Sequence, residues 1–148
     1  MLQTIGSPLL LSLSTSIEEN KNFYYEALEK GQRNNKINNW LFYFTNLILN
    51  ALDKSELIID FTLKKASLFD KFNDKLNDRQ LKVIKRLLKE GINGFEGGMT
   101  TKKYVGITKT SKPTATRDLQ NLLEFGVFKV FGKGRSASYQ INFEFENK

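Results

Sequence analysis

The stretch KTSKPTATRDLQNLLEFGVFKVFGKGRSASYQINF, residues 109–143, decides how this chain is read. Ser111 offers a hydroxyl to the free amides of a helix start, and Pro113 sits in the first turn, where a missing N–H costs nothing. Ala115, Leu119, Leu122 and Leu123 recur at helical spacing, and Gly126 supplies a left-handed stop. Beyond it, VFKVF and ASYQINF alternate like strands around Gly-Lys-Gly-Arg, which predicts a two-stranded hairpin with Lys133 and Arg135 at its tip. Thr114, Thr116, Arg117, Gln120 and Asn121 fall on the other faces of the helix. They are short or forked hydrogen-bonding side chains, suited to base edges and phosphates.

Working back towards the N-terminus, TTKKYVGI at 100–107 predicts a short helix, capped by Thr100 or Thr101, that buries Tyr104 and Val105. Before it, Asn77-Asp78-Arg79-Gln80 has the spacing of a capping box. The helix it opens, 78–90, buries Leu81, Val83, Ile84, Leu87 and Leu88 and stops at Gly91. Three helices and a basic-tipped hairpin make a winged helix-turn-helix over residues 77–148. In that architecture the third helix suits the major groove, and the hairpin tip suits an adjacent groove or the backbone.

The first 76 residues predict a helical bundle segment. Ser16-Ile17-Glu18-Glu19 matches a capping box for a helix over 17–30, with Gly31 as its stop and QRNNKINN as a polar loop. Asn38 or Asn39 then caps one long helix, or two nearly collinear ones, over about 39–75. Trp40, Phe44, Leu47 and Ala51 form one apolar row, and Leu41, Ile48 and Leu52 form another. Apolar residues on more than one face call for partners on more than one side, so self-association through residues 1–76 is expected. The aromatic stripe reads as core, not as a ligand pocket.

Charge separates the halves. Of the net +7, residues 1–76 contribute nothing, with nine basic and nine acidic side chains. Residues 77–140 hold thirteen basic against five acidic. That excess points to a polyanion, and double-stranded DNA is the expected partner of the second half. The chain has no cysteine and no histidine. Disulfides, thiolate metal sites, Ser-His or Cys-His catalysis and His-metal centres are therefore excluded as functions of these residues. The longest apolar run, 40–52, is short of the ~20 residues that cross a bilayer. The segment before Ser16 lacks the positive start of a secretion signal, so the expected location is cytoplasmic.

Residues 94–143 resemble the C-terminal winged helix of Fic (Fic/DOC) family proteins, and TATRDLQNLLEFGVF also resembles the recognition helix of DeoR-type repressors. Residues 7–52 resemble the helices that close the Fic fold, through Pro8-Leu9-Leu10, the pair Tyr24-Tyr25 and the Trp40-led helix. Fic enzymes transfer AMP or a similar group with a His-Pro-Phe-x-x-Gly-Asn-Gly-Arg motif, which the resemblance implies should lie before residue 5. The resemblance is thus to the C-terminal part of a Fic protein, and the family's catalytic residues map onto nothing here. No AMP transfer, and no tight ATP or metal binding, is expected of the chain.

The sequence therefore predicts a mainly α protein of the α+β type, not an enzyme and without a cofactor. It is expected to act as a DNA-binding regulatory module, such as a repressor or a targeting element of a Fic enzyme. Its expected DNA contacts are Lys109, Ser111, Lys112, Thr114, Thr116, Arg117, Gln120, Asn121, Lys133 and Arg135. The alternative is an interaction or dimerisation module that positions a Fic domain without touching nucleic acid; on that view Arg117 only pairs with Asp118 or Asn121 on the helix surface.

Overall fold

The chain is described by a computed structural model over residues 12–33, 37–132, 134 and 137–144. It is mainly helical, with a small antiparallel sheet near its C-terminus. It divides into two compact units, Met1–Asp60 and Phe61–Lys148.

In the first unit residues 12–19 are helical (α1), followed by α2, Lys21–Arg33, and by α3, which runs Ile37–Phe72 and so continues into the second unit. Here the structure corrects three readings. Ser16 is not an N-cap; it lies inside α1, where Ser12 and Ser16, one turn apart, are both buried. Side chains this small let α1 lie close to its neighbours, and Glu19 at its end accepts from Lys54 Nζ at 2.6 Å. Gly31 is not a stop either, because α2 continues to Arg33. A Cβ on Gly31 would come within 3.1 Å of Trp40 Cβ, so the glycine makes room for the indole. α3 starts at Ile37, which puts Asn38 and Asn39 inside its first turn, not at its cap. Trp40 stacks on Phe44 with ring centres 5.0 Å apart, and Leu47 and Ala51 continue that inward row. The helix expected over about 39–75 is a single α-helix to Phe72, closed by a 3-10 turn over Asn73–Lys75.

The second unit holds α4 (Asp78–Leu88), α5 (Thr101–Thr108), α6 (Lys112–Glu124), β1 (Phe128–Phe131) and β2 (Ser138–Ile141). Each helix starts as its side chains dictate. Asn77 and Gln80 exchange hydrogen bonds in a reciprocal box, Thr100 accepts from Lys103 N–H, and Ser111 accepts from Thr114 N–H. Val83, Ile84, Leu87 and Leu88 of α4 meet Tyr104 of α5, Ala115, Leu119 and Leu122 of α6, and Val127 and Phe128 in one core. Leu81, Val105 and Leu123 are only half-buried at its edge. Leu68 and Phe72, from the end of α3, and Leu76 also enter this core. The second unit thus begins at Phe61, ahead of the 76/77 division read from charge and capping.

The strands pair antiparallel, Phe128 opposite Ile141 and Phe131 opposite Ser138. A further bridge joins Met99, just before α5, to Tyr139 of β2, with both N–H···O distances at 2.7 Å. Asn142 fastens the far end of β2: its N–H donates to Val127 O at 2.8 Å and its Nδ2 to Gly126 O at 3.1 Å. Among the described residues no helix is long and apolar enough to cross a membrane.

Candidate nucleic-acid interface

The turn between α5 and α6 is three residues long, Lys109–Thr110–Ser111. Lys109 takes a left-handed conformation, φ 57°, and its N–H closes α5 on Val105 O at 2.8 Å. This is a position where glycine is commonest, so the turn is tight and holds a lysine with its side chain exposed. Ser111 Oγ also meets Thr114 Oγ1 at 2.9 Å. The start of α6 therefore carries Lys109, Ser111 and Lys112, all exposed, beside the free amides of a helix N-terminus.

Along α6 the candidate residues do not share one environment. Thr116, Arg117 and Gln120 are exposed, whereas Thr114 and Asn121 are half-buried. Thr116 Oγ1 donates to Lys112 O at 3.0 Å, so its hydroxyl is tied to its own helix and its methyl is left outward. Lys133 and Arg135, the expected tip contacts, lie outside the described residues. Gly132 and Gly134 beside them both have positive φ, as a tight glycine turn requires.

Sequence reasoning missed the group that holds α6 in place. Asp118 is 3 % exposed and receives bonds from three directions. Arg79 donates from Nε at 2.8 Å and from a terminal nitrogen at 3.1 Å. The Tyr104 hydroxyl donates at 3.0 Å and Asn77 Nδ2 at 3.2 Å. Gln80 Nε2 adds a bond to the backbone carbonyl of Asp118 at 3.1 Å. One carboxylate thereby joins the start of α4, the middle of α5 and the middle of α6. Burial alone would raise its pKa, but the bonds from Arg79, Tyr104 and Asn77 outweigh that and hold it below the ordinary carboxylate range. Burial, then the bond to Asp118, pushes the Tyr104 hydroxyl well above its usual value. The bond to Asp118 likewise raises Arg79. The signal was in the spacing: Asp118 falls three residues after Ala115 and four before Leu122, on the buried face.

The surface pairing of Arg117 with Asp118 does not form. Asp118 points inward and is occupied by Arg79, and Arg117 takes part in no ion pair among the described residues. Nor do the described residues include a cluster of acidic side chains that could hold a metal ion. Comparison with protein-family models finds no match for this chain, and a search of curated proteins finds none either.

Proposed function

We propose that the second unit binds double-stranded DNA as a winged helix-turn-helix, in a regulatory role. The observation that carries the reading is the outward side of α6. One of the two acids of α6, Asp118, is withdrawn into the core and bound to Arg79, while Arg117 stays exposed beside Thr116 and Gln120 and enters no ion pair among the described residues; the other acid, Glu124, is exposed two turns further on. Lys109, Ser111 and Lys112 precede that row at the helix start. The element order supports the same reading: helix, bridged residue, helix, three-residue turn, helix, hairpin. Arg117 and Gln120 then reach base edges, while Lys109, Lys112, Lys133 and Arg135 neutralise phosphates. The net positive charge of this half supplies the salt-dependent attraction. Within this reading the Fic resemblance is a proposal for ancestry, with the chain corresponding to the non-catalytic end of that family.

The test begins with selection of duplexes from a random pool on the full chain. Titrations at two salt concentrations then compare a selected and a random duplex. Arg117→Ala is expected to cost about 1–3 kcal/mol on the selected duplex and little on the random one. The pair Lys133→Ala with Arg135→Ala weakens both and lowers the salt slope by about one for each phosphate that is no longer neutralised. Equal binding of all three proteins to both duplexes, with unchanged salt slopes, refutes the reading.

A further inference from the structure

We propose that the first unit pairs with a second copy of this chain through an antiparallel α3–α3 contact centred between Asn50 and Ala51. Phe42, Thr45, Leu49, Leu52, Glu56 and Ile59 are spaced alternately three and four residues apart on α3, the repeat with which one helix packs against another. All six are exposed, Phe42 at 74 % and Leu49 at 52 %. The buried residues of α3 in this unit, Leu47, Ala51 and Ser55, lie on the other side. The stripe is therefore a helix-packing seam that none of the described residues of the first unit covers.

The order of residues along the seam identifies the occupant. Read from either end it runs apolar, polar, apolar, apolar, polar, apolar. A two-fold axis between residues 50 and 51 sets Phe42 against Ile59 of the second copy, Thr45 against Glu56, and Leu49 against Leu52. Each pair then occurs twice, as a two-fold contact demands. Every polar group meets a polar group. The Thr45 hydroxyl, which donates to Leu41 O at 2.8 Å in the single chain, can turn to donate to the Glu56 carboxylate of the other copy. Beside the seam, Asp53 faces the Asn46 amide of the other copy and not a second Asp53. A parallel pair is penalised, because it stacks Glu56 on Glu56 inside the seam. The inference does not depend on DNA binding, and its test contains no DNA.

The natural absence of cysteine makes the register directly readable. In the full chain Thr45→Cys combined with Glu56→Cys puts thiols opposite each other in the antiparallel pair, and mild oxidation is expected to give a covalent dimer. Glu56→Cys alone keeps its two thiols about 16 Å apart along the axis, at ~1.5 Å per residue, and stays uncrosslinked. Sedimentation of the unaltered chain is expected to show a monomer–dimer equilibrium, and Leu49→Lys to raise its dissociation constant roughly a hundredfold. Circular dichroism on Leu49→Lys checks that the helices persist, and the cysteine pair gives the answer independently if they do not. Crosslinking of Glu56→Cys alone shows a parallel pair and overturns the proposal. So does an unaltered chain that stays monomeric at the highest concentration, in which case the seam serves a different protein.

Discussion

Asp118→Ala is expected to destabilise the second unit by about 2–4 kcal/mol, measured by urea unfolding. The carboxylate is buried among Arg79, Tyr104 and Asn77. Its removal strips the acceptor from the Tyr104 hydroxyl, which lies at 0 % exposure and cannot turn to water. Arg79 is the lesser loss, since its side chain is 43 % exposed and its charge returns to solvent. Tyr104→Phe removes only one donor and should cost about 1 kcal/mol, because Asp118 keeps its other partners. Asp118→Asn falls between the two, since an amide still accepts from Tyr104 but turns an N–H towards Arg79. Acid separates the charge from the shape. The folded pKa of Asp118 lies below its unfolded value of ~3.9. Its contribution is therefore complete above about pH 5 and is lost as pH falls through the folded value. The stability gap between the unaltered chain and Asp118→Asn should shrink over that same window. A gap that stays constant down to acid unfolding would mean that the carboxylate's charge contributes nothing.

The same residue shows what the sequence could and could not convey. Caps are local, so Asn77 with Gln80, Thr100 and Ser111 were legible from a few neighbouring letters. The hairpin was legible from its glycines and its alternation. Asp118 was visible by spacing, but its meaning depends on Arg79, 39 residues earlier, and on Tyr104, and no local pattern joins them. Ser16 and Gly31 misled for the converse reason. Serine before glutamate and glycine after a polar run look like helix ends, yet tertiary packing uses both as small residues inside helices, Gly31 against Trp40. The same limit moved the start of the second unit: Leu68 and Phe72 read as further turns of a long helix, and only the packed core shows that they belong with α4 to α6. For the candidate interface, exposure on α6 followed from helical spacing for Thr116, Arg117 and Gln120. The half-burial of Thr114 and Asn121 did not, because it depends on what packs beside the helix.

Gly98→Val is expected to cost about 3 kcal/mol or more, against about 1 kcal/mol for Gly126→Ala. Both glycines sit in the left-handed region, at φ 63° and 75°. The contrast lies in the space around them. A Cβ on Gly126 meets nothing within 4 Å, so alanine there bears only the backbone strain. A Cβ on Gly98 would come within 3.1 Å of both Ser138 Cβ and the Tyr139 carbonyl oxygen. The second of these is backbone and cannot swing away. Moreover, that carbonyl already accepts from Met99 N–H at 2.7 Å, in the bridge that ties β2 to the start of α5. Valine adds two methyl groups to a position where one carbon is already too many. The chain can relieve the clash only by parting Met99 from Tyr139, so the damage should be local before it is global. Hydrogen exchange at the Met99 and Tyr139 amides should accelerate well beyond that of core amides such as Ile84. Because the hairpin hangs on this bridge and on Asn142, Gly98→Val should also weaken binding to random and selected duplexes alike while leaving the outward row of α6 unaltered. Equal unfolding costs for the two substitutions, with unchanged exchange at Met99 and Tyr139, would show that the close approach at Gly98 is not what fixes β2 to the helices.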